Sequence, residues 1–168
     1  MNTTKIEIQL AQHDEITQIA NLNKKWLNND FMLSDREHGF LFGDLFNESD
    51  LKRIVDNKEL VVAKNNDLII GYYLLDNYSK SDVLEDHKCL INKYLMKEVY
   101  FADSKVSMRM QCVIDLEFQM RGLSRAMLKQ LLVALEDKYD FLFATVSKYN
   151  PKSEAHVRLG WEIFHETE

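Results

Sequence analysis

Six consecutive residues, Gln119-Met120-Arg121-Gly122-Leu123-Ser124, carry the most readable chemistry of this chain. Upstream, Val106, Met108, Met110, Cys112 and Ile114 alternate along a strand-like run from Val106 to Asp115. Downstream, Met127, Leu128, Leu131, Leu132 and Leu135 share one face of a helix expected over 124–137. A strand, a turn with one glycine and a helix N-terminus leave several backbone N–H groups without intrahelical partners. Those donors, at the positive end of the helix dipole, form an anion site. Gly122 lets a diphosphate approach the backbone, Ser124 is too small to block it, and Arg121 adds a charge at the rim. Competing phosphate turns are absent. The glycines at 39, 43, 71, 122 and 160 supply neither a G-x-G pair nor a G-x-x-x-x-G-K-[ST] run.

A second group of residues follows a strand expected over Phe141 to Val146. It runs Asn150-Pro151-Lys152-Ser153-Glu154-Ala155-His156-Val157-Arg158-Leu159-Gly160-Trp161. Pro151 suits the first turn of a helix, Asn150 sits where a cap is wanted, and Gly160 is a natural helix stop.

The first run resembles the Q/R-x-x-G-x-G/A motif of the GNAT superfamily of N-acetyltransferases, with Ser124 in the small-residue place. The second is similar to that family's N-x-x-[AS]-x-x-x-[YH]-x-x-x-G-[FW] segment. The resemblance implies an α/β (α+β) fold: a mixed, mostly antiparallel central sheet flanked by helices, with the fourth and fifth strands splayed apart. It implies acetyl-CoA as cofactor. The pyrophosphate would be held at Gln119, Met120, Arg121, Gly122, Leu123 and Ser124, chiefly by main-chain amides from Arg121 through Ser124. The pantetheine arm would lie in the splayed gap like one more strand. Val113 and Ile114 would be nearest the bulge that opens the gap, and the Ile114 amide would face the thioester oxygen. Asn150 and Ser153 would contact the pantetheine arm or phosphates.

Acetyl transfer to an amine needs a neutral nitrogen, a polarised thioester carbonyl and a leaving group that accepts a proton. The resemblance puts His156 where relatives carry a tyrosine that protonates the departing thiolate. An imidazole near pKa 6.5 is mostly neutral at pH 7.5, so His156 would act as a neutral N–H donor or pack beside the cofactor. Tyr149 is the fallback acid. No carboxylate lies between Val106 and Ile114, and Asp115 and Glu117 flank the phosphate turn. Deprotonation through ordered water is expected.

The elements that must position these groups are legible upstream. Lys5 to Ala11 reads as a first strand, and His13 to Leu27 as a helix with Ile16, Ile19, Trp26 and Leu27 at helical spacing. Asn47 opens a short helix, with Asp50 at its third position. Glu59–Lys64 and Leu68–Asp76 form a hairpin about Asn65-Asn66-Asp67, with Gly71 marking a close backbone approach or bulge. The segment 80–100 reads as a helical excursion within a single domain spanning 1–168. The resemblance implies that the loop 28–46, with Phe31, Met32, Phe40, Phe42 and Phe46 among Asp30, Asp35, Glu37 and Asp44, forms the acceptor pocket. Only one strand fits after Trp161, where relatives have two. A partner chain could supply the last, the excursion at 80–100 could displace it, or the sequence could be shortened, which leaves a homodimer open.

The net charge of −6, from 21 basic and 27 acidic residues, argues against attraction to nucleic acid or an anionic membrane. No apolar run approaches a membrane span, and no signal-peptide pattern appears, so a cytoplasmic protein is expected. Cys89 and Cys112 make no disulfide framework, and Cys112 reads as a core residue. His38 has no partner at ligand spacing, H-E-x-x-H is absent, and no metal is expected. The expected function is transfer of an acetyl group from coenzyme A to a primary amine of a small molecule or peptide. An acyl-CoA-binding sensor or scaffold of the same fold, or a plain protein-interaction domain, would differ in lacking transfer or CoA affinity.

Overall fold

The structure, a computed structural model, describes residues 6–27, 41, 45–77, 105–163 and 166. The expected excursion at 80–100, most of the loop 28–46 with His38, and Cys89 lie outside the described residues.

Five strands form one sheet in the order of the chain: β1 (Ile6–Leu10), β2 (Leu60–Asn65), β3 (Leu68–Asn77), β4 (Val106–Ile114) and β5 (Phe141–Ala144). The first four are antiparallel neighbours, and β5 runs parallel to β4. A parallel pair needs a long crossover, supplied here by α3 (Leu123–Ala134). The hairpin between β2 and β3 turns at Asn66 and Asp67, where Asn66 takes a positive φ of 54° that asparagine tolerates.

Helix α1 (Ile16–Leu27) follows a short 3-10 turn at His13–Glu15, which shortens the helix expected from His13. Helix α2 (Glu48–Asp56) starts as its sequence dictates. The Asn47 side chain accepts from the Asp50 N–H at 2.9 Å, and Asp50 reaches back to the Asn47 N–H. These two helices cover one face of the sheet, burying Ile16, Ile19, Leu51 and Ile54 against Leu60, Val62, Tyr72 and Leu74. On the opposite face α3 buries Leu123, Met127, Leu128 and Leu131 against Val61, Ala63, Ile70 and Tyr73. Leu132, expected on the buried side of α3, is instead half exposed.

Because both faces are covered, β4 is buried or half-buried along its length, and its polar residues are inside as well. Ser107 and Gln111 are as enclosed as Met108. Gln111 is satisfied: its Oε1 accepts from the Tyr72 hydroxyl at 2.8 Å and from Asn23 of α1. A polar triad thus fixes α1 to the middle of the sheet.

The register of β3 against β4 shifts once. Leu74 faces Gln111 but Leu75 faces Arg109, so Met110 is an extra residue. The bulge therefore sits at Met110, three to four residues before the expected Val113–Ile114. It turns Met110 and Gln111 both toward α1, and leaves Arg109 and Cys112 on the α3 side, so the alternation visible in the sequence breaks there.

Candidate functional site

The pairing of β5 with β4 ends at Arg109–Ala144, one residue before the bulge. From Met110 to Ile114 no described strand flanks β4 on that side. The backbone groups exposed there follow from the ladder. The Asp115 N–H donates to the Ile70 carbonyl at 2.8 Å, so bonding pairs along β3–β4 alternate from Asp115–Ile70 to Val113–Tyr72. The main-chain groups of Ile114 and Cys112 therefore point away from β3 and into the gap. Val113 points its own toward Tyr72, while its side chain packs in the α1-side core.

The gap opens into a cleft of about 270 Å³ that passes through the sheet. Trp26, Leu41 and Met110 line it on the α1 side, and Tyr73, Arg109, Cys112 and Leu123 on the α3 side. At one end lies the turn into α3. Gly122 is the N-cap, at φ 76° and ψ 10°, and no side chain caps the helix. The first intrahelical bond in this turn runs from the Ala126 N–H to the Gly122 carbonyl at 3.1 Å. The N–H groups of Leu123, Ser124 and Arg125 precede it, and no acidic residue sits in the first turn. A β-carbon on Gly122 would meet nothing within 4 Å, so its approach to the cleft is open. Met120 takes φ 62° and is 94% exposed at the rim, a strained conformation for an unbranched apolar side chain.

The cleft is lined by Val113, Ile114, Gln119, Met120, Gly122, Leu123, Ser124, Asn150 and His156 among the residues singled out from sequence. Gln119 Nε2 donates to the Ile114 carbonyl at 3.1 Å, tying the turn to the end of β4. Arg121 does not line the cleft with its side chain. Its guanidinium donates to the Glu117 carbonyl at 2.9 Å and stacks on Phe118 at 5.1 Å, leaving only its backbone N–H to the turn. Asp115, one of the carboxylates beside the turn, is ion-paired to Lys25 of α1.

The second segment departs further from expectation. Helix α4 spans Ser153–Arg158, two residues later than Pro151 suggests, and Lys152 is its N-cap. Asn150 does not cap it. Its Oδ1 accepts from the Lys152 N–H at 2.9 Å in a local turn. Ser153 stands outside the cleft, and Lys152 lines it instead. Tyr149 is 78% exposed, with the Lys148 ammonium 5.6 Å from its ring, and does not reach the cleft. Trp161–Ile163 is irregular rather than a strand.

His156 faces the cleft half-buried, and its Nδ1 has no hydrogen-bond partner. Burial, and then the charge of Arg109, push its pKa down from 6.5 to about 4, so the ring is neutral at pH 7. Burial pushes the Cys112 thiol up to about 11, with Arg109 partly offsetting it, which keeps this side chain an inert thiol. Arg109 itself was invisible as a site residue. It is a lone charge in a strand that reads as half-exposed, and only burial on both faces makes it unusual. Among the described residues no group of three or more His, Cys, Asp or Glu could hold a metal, and no helix is long and apolar enough to cross a membrane.

No family model matches this chain, and no curated protein matches it in sequence. Solved structures do. The aminoglycoside acetyltransferase AAC(6')-Iy, in complex with a CoA-containing bisubstrate analogue, superposes with a TM-score of 0.64 at 13% identity, covering 98% of this chain and 95% of that one. A putative acetyltransferase, yncA from Salmonella typhimurium, with acetyl-CoA bound, gives 0.57 at 13% identity over 92% and 76%. Diaminobutyrate acetyltransferase EctA from Paenibacillus lautus, with diaminobutyric acid and coenzyme A, gives 0.56 at 15% over 94% and 73%. The likeness extends over nearly the whole chain, and the helix-flanked mixed sheet described above, with β5 parallel to β4, is the GNAT fold.

Proposed function

We propose that this chain is an acetyl-CoA-dependent N-acetyltransferase acting on a primary amine of a small molecule or peptide. The observation that carries the reading is the continuous path in the cleft. It begins at the uncapped N-terminus of α3, passes the Ile114 N–H and the main-chain groups of Cys112, which point away from β3, and ends where β4 and β5 meet at Arg109 and Ala144.

Each part suits one portion of coenzyme A. The amides of Leu123 and Ser124, with the helix dipole, suit a pyrophosphate, and the positive φ and open surroundings of Gly122 let it come close. The main-chain N–H and C=O of Cys112 and the N–H of Ile114 suit the two amides of a pantetheine arm, which would take the place of a missing strand. Coenzyme A supplies the activated acyl group as a thioester. An N–H of the bulged strand facing the carbonyl oxygen would stabilise the charge that grows there during attack. The α1-side mouth, at Trp26, Leu41 and Met110, is the entry left for the amine. Two of the structures above bind small-molecule amines together with CoA, an aminoglycoside analogue and diaminobutyric acid, which favours a small amine. With Asp115 ion-paired and no carboxylate lining the cleft among the described residues, the amine proton leaves through water.

The test is a thermal-shift titration with acetyl-CoA, CoA, NAD and ATP, followed by an amine panel. A ligand at a hundred times its Kd stabilises by about 2.7 kcal/mol, enough to read as a clear rise in Tm. A rise with the two CoA species alone, then acetyl transfer to an amine, bears the proposal out. Binding without transfer to any amine would favour a sensor or scaffold, and no shift with either CoA species would overturn the reading.

A further inference from the structure

Arg109 is only 7% exposed, and its Nε has no hydrogen-bond partner. None of the ion pairs among the described residues includes it. Its guanidinium lies over the Trp161 ring at 5.9 Å, and its side chain lines the cleft. Other buried polar atoms lie close to it: His156 Nδ1, which has no hydrogen-bond partner, and the Tyr73 hydroxyl, which faces the Trp161 side chain. Among the described residues the titratable groups that face this charge are Tyr73 from β3, Cys112 from β4 and His156 from α4, and none is a carboxylate. A buried cation with unsatisfied donors beside it is costly unless a ligand brings the anion.

The position of Arg109 says which anion. It is the last residue of β4 paired with β5, so the gap closes there. From Ile114 to Arg109 an extended chain covers on the order of 15 Å, which is also the reach of a pantetheine arm. An arm anchored by its phosphate at α3 therefore delivers its sulfur to the closed end.

We propose that Arg109 is a catalytic residue of this site, its guanidinium, with the Tyr73 O–H beside it, receiving the coenzyme A sulfur as a thiolate. The inference rests on the acetyltransferase reading above. In the step, the amine lone pair forms the new C–N bond at the thioester carbonyl carbon, and the C–S bond breaks with its electron pair on sulfur. The attacking nitrogen releases its proton to water, and the sulfur takes a proton from water when it leaves the cleft. No side chain need transfer a proton. His156 is neutral at pH 7, and burial holds the Tyr73 proton more tightly than in an ordinary phenol. Charge compensation by Arg109 replaces acid catalysis.

The experiment is a pH titration of free coenzyme A bound to the full chain, read by the ultraviolet absorbance of its thiolate. The matching complex with desulfo-CoA is subtracted, so that Cys89 and Cys112 cancel. The bound thiol is expected to titrate about one to three units below free CoA, the range that an opposite charge in contact produces. Arg109→Gln should abolish the shift, and Arg109→Lys should keep part of it. A bound thiol that titrates at or above free CoA in the unaltered chain overturns the proposal without recourse to any variant, and so does a shift retained in Arg109→Gln. Failure of the unaltered chain to bind CoA at all would instead overturn the acetyltransferase reading on which this one depends.

Discussion

Gly71 of β3 and Val113 of β4 stand so close that a β-carbon on Gly71 would lie 2.7 Å from the Val113 carbonyl oxygen. The obstacle is backbone, which cannot swing aside as a side-chain tip would. Gly71 also pairs across the sheet with Ile114, beside the gap. Gly71→Ala should force β4 away from β3 and destabilise the fold by about 1–3 kcal/mol, the usual cost of overpacking. Denaturant unfolding of the variant measures it. An unchanged midpoint would mean that the strands do not approach this closely.

Gly122 presents the opposite case, because space around it is open and only its positive φ resists a side chain. Aspartate tolerates that conformation better than most residues. Gly122→Asp should therefore fold with a nearly unchanged Tm while losing at least tenfold in CoA affinity, because it sets a carboxylate against the diphosphate. That is about 1.4 kcal/mol or more of binding. Calorimetric titration beside a melting curve separates the two effects.

His156 makes stability depend on pH. Its folded value of about 4 lies below the ordinary 6.5, so between those values the unfolded chain binds the extra proton. The contribution is present above 6.5 and is lost as pH falls toward 4. His156→Gln should flatten that part of the stability curve, measured by urea unfolding at stepped pH. Equal slopes for both chains across this window would remove His156 as the cause.

Asp76 is fully buried and accepts two bonds from the Arg53 guanidinium, at 2.6 and 3.1 Å. The pair raises the Arg53 pKa, through its bond to Asp76 first. Asp76→Ala would leave that cation with only its longer contact to Asp50, at 3.7 Å, and should cost about 1–3 kcal/mol. Replacing both residues, as Arg53→Met with Asp76→Leu, should recover a good part of the loss. A double variant no more stable than Asp76→Ala would show that the charge is not what matters.

Sequence patterning conveyed the parts of the site that local chemistry governs. The turn from β4 into α3 needs one glycine, a small residue and an apolar anchor, and all three stand in order at Gly122, Ser124 and Leu123. The start of α2 was equally legible, since Asn47 and Asp50 satisfy each other three residues apart. What stayed hidden depends on neighbours distant in the chain. The alternation of β4 runs unbroken on paper, and only the pairing with β3 makes Met110 an extra residue. The placement of Tyr149 outside the cleft, and of Lys152 rather than Ser153 within it, follows from a local turn held by Asn150 that shifts the start of α4. Arg109 looked like an ordinary solvent-facing charge because nothing in the strand itself reveals that both its faces are covered.

The early end of β5 has a cost in colloidal behaviour. Between Met110 and Ile114 β4 keeps main-chain groups that neither β3 nor β5 pairs, those of Cys112 and the Ile114 N–H, an edge placed indoors. Edges on a surface invite pairing with other chains, and proteins usually blunt them with charges, prolines or bulges. Here the wedge narrows to nothing at Arg109, so a thin, flexible arm fits where a second polypeptide with side chains on both sides does not. Geometry thus makes this edge selective for what may pair with it.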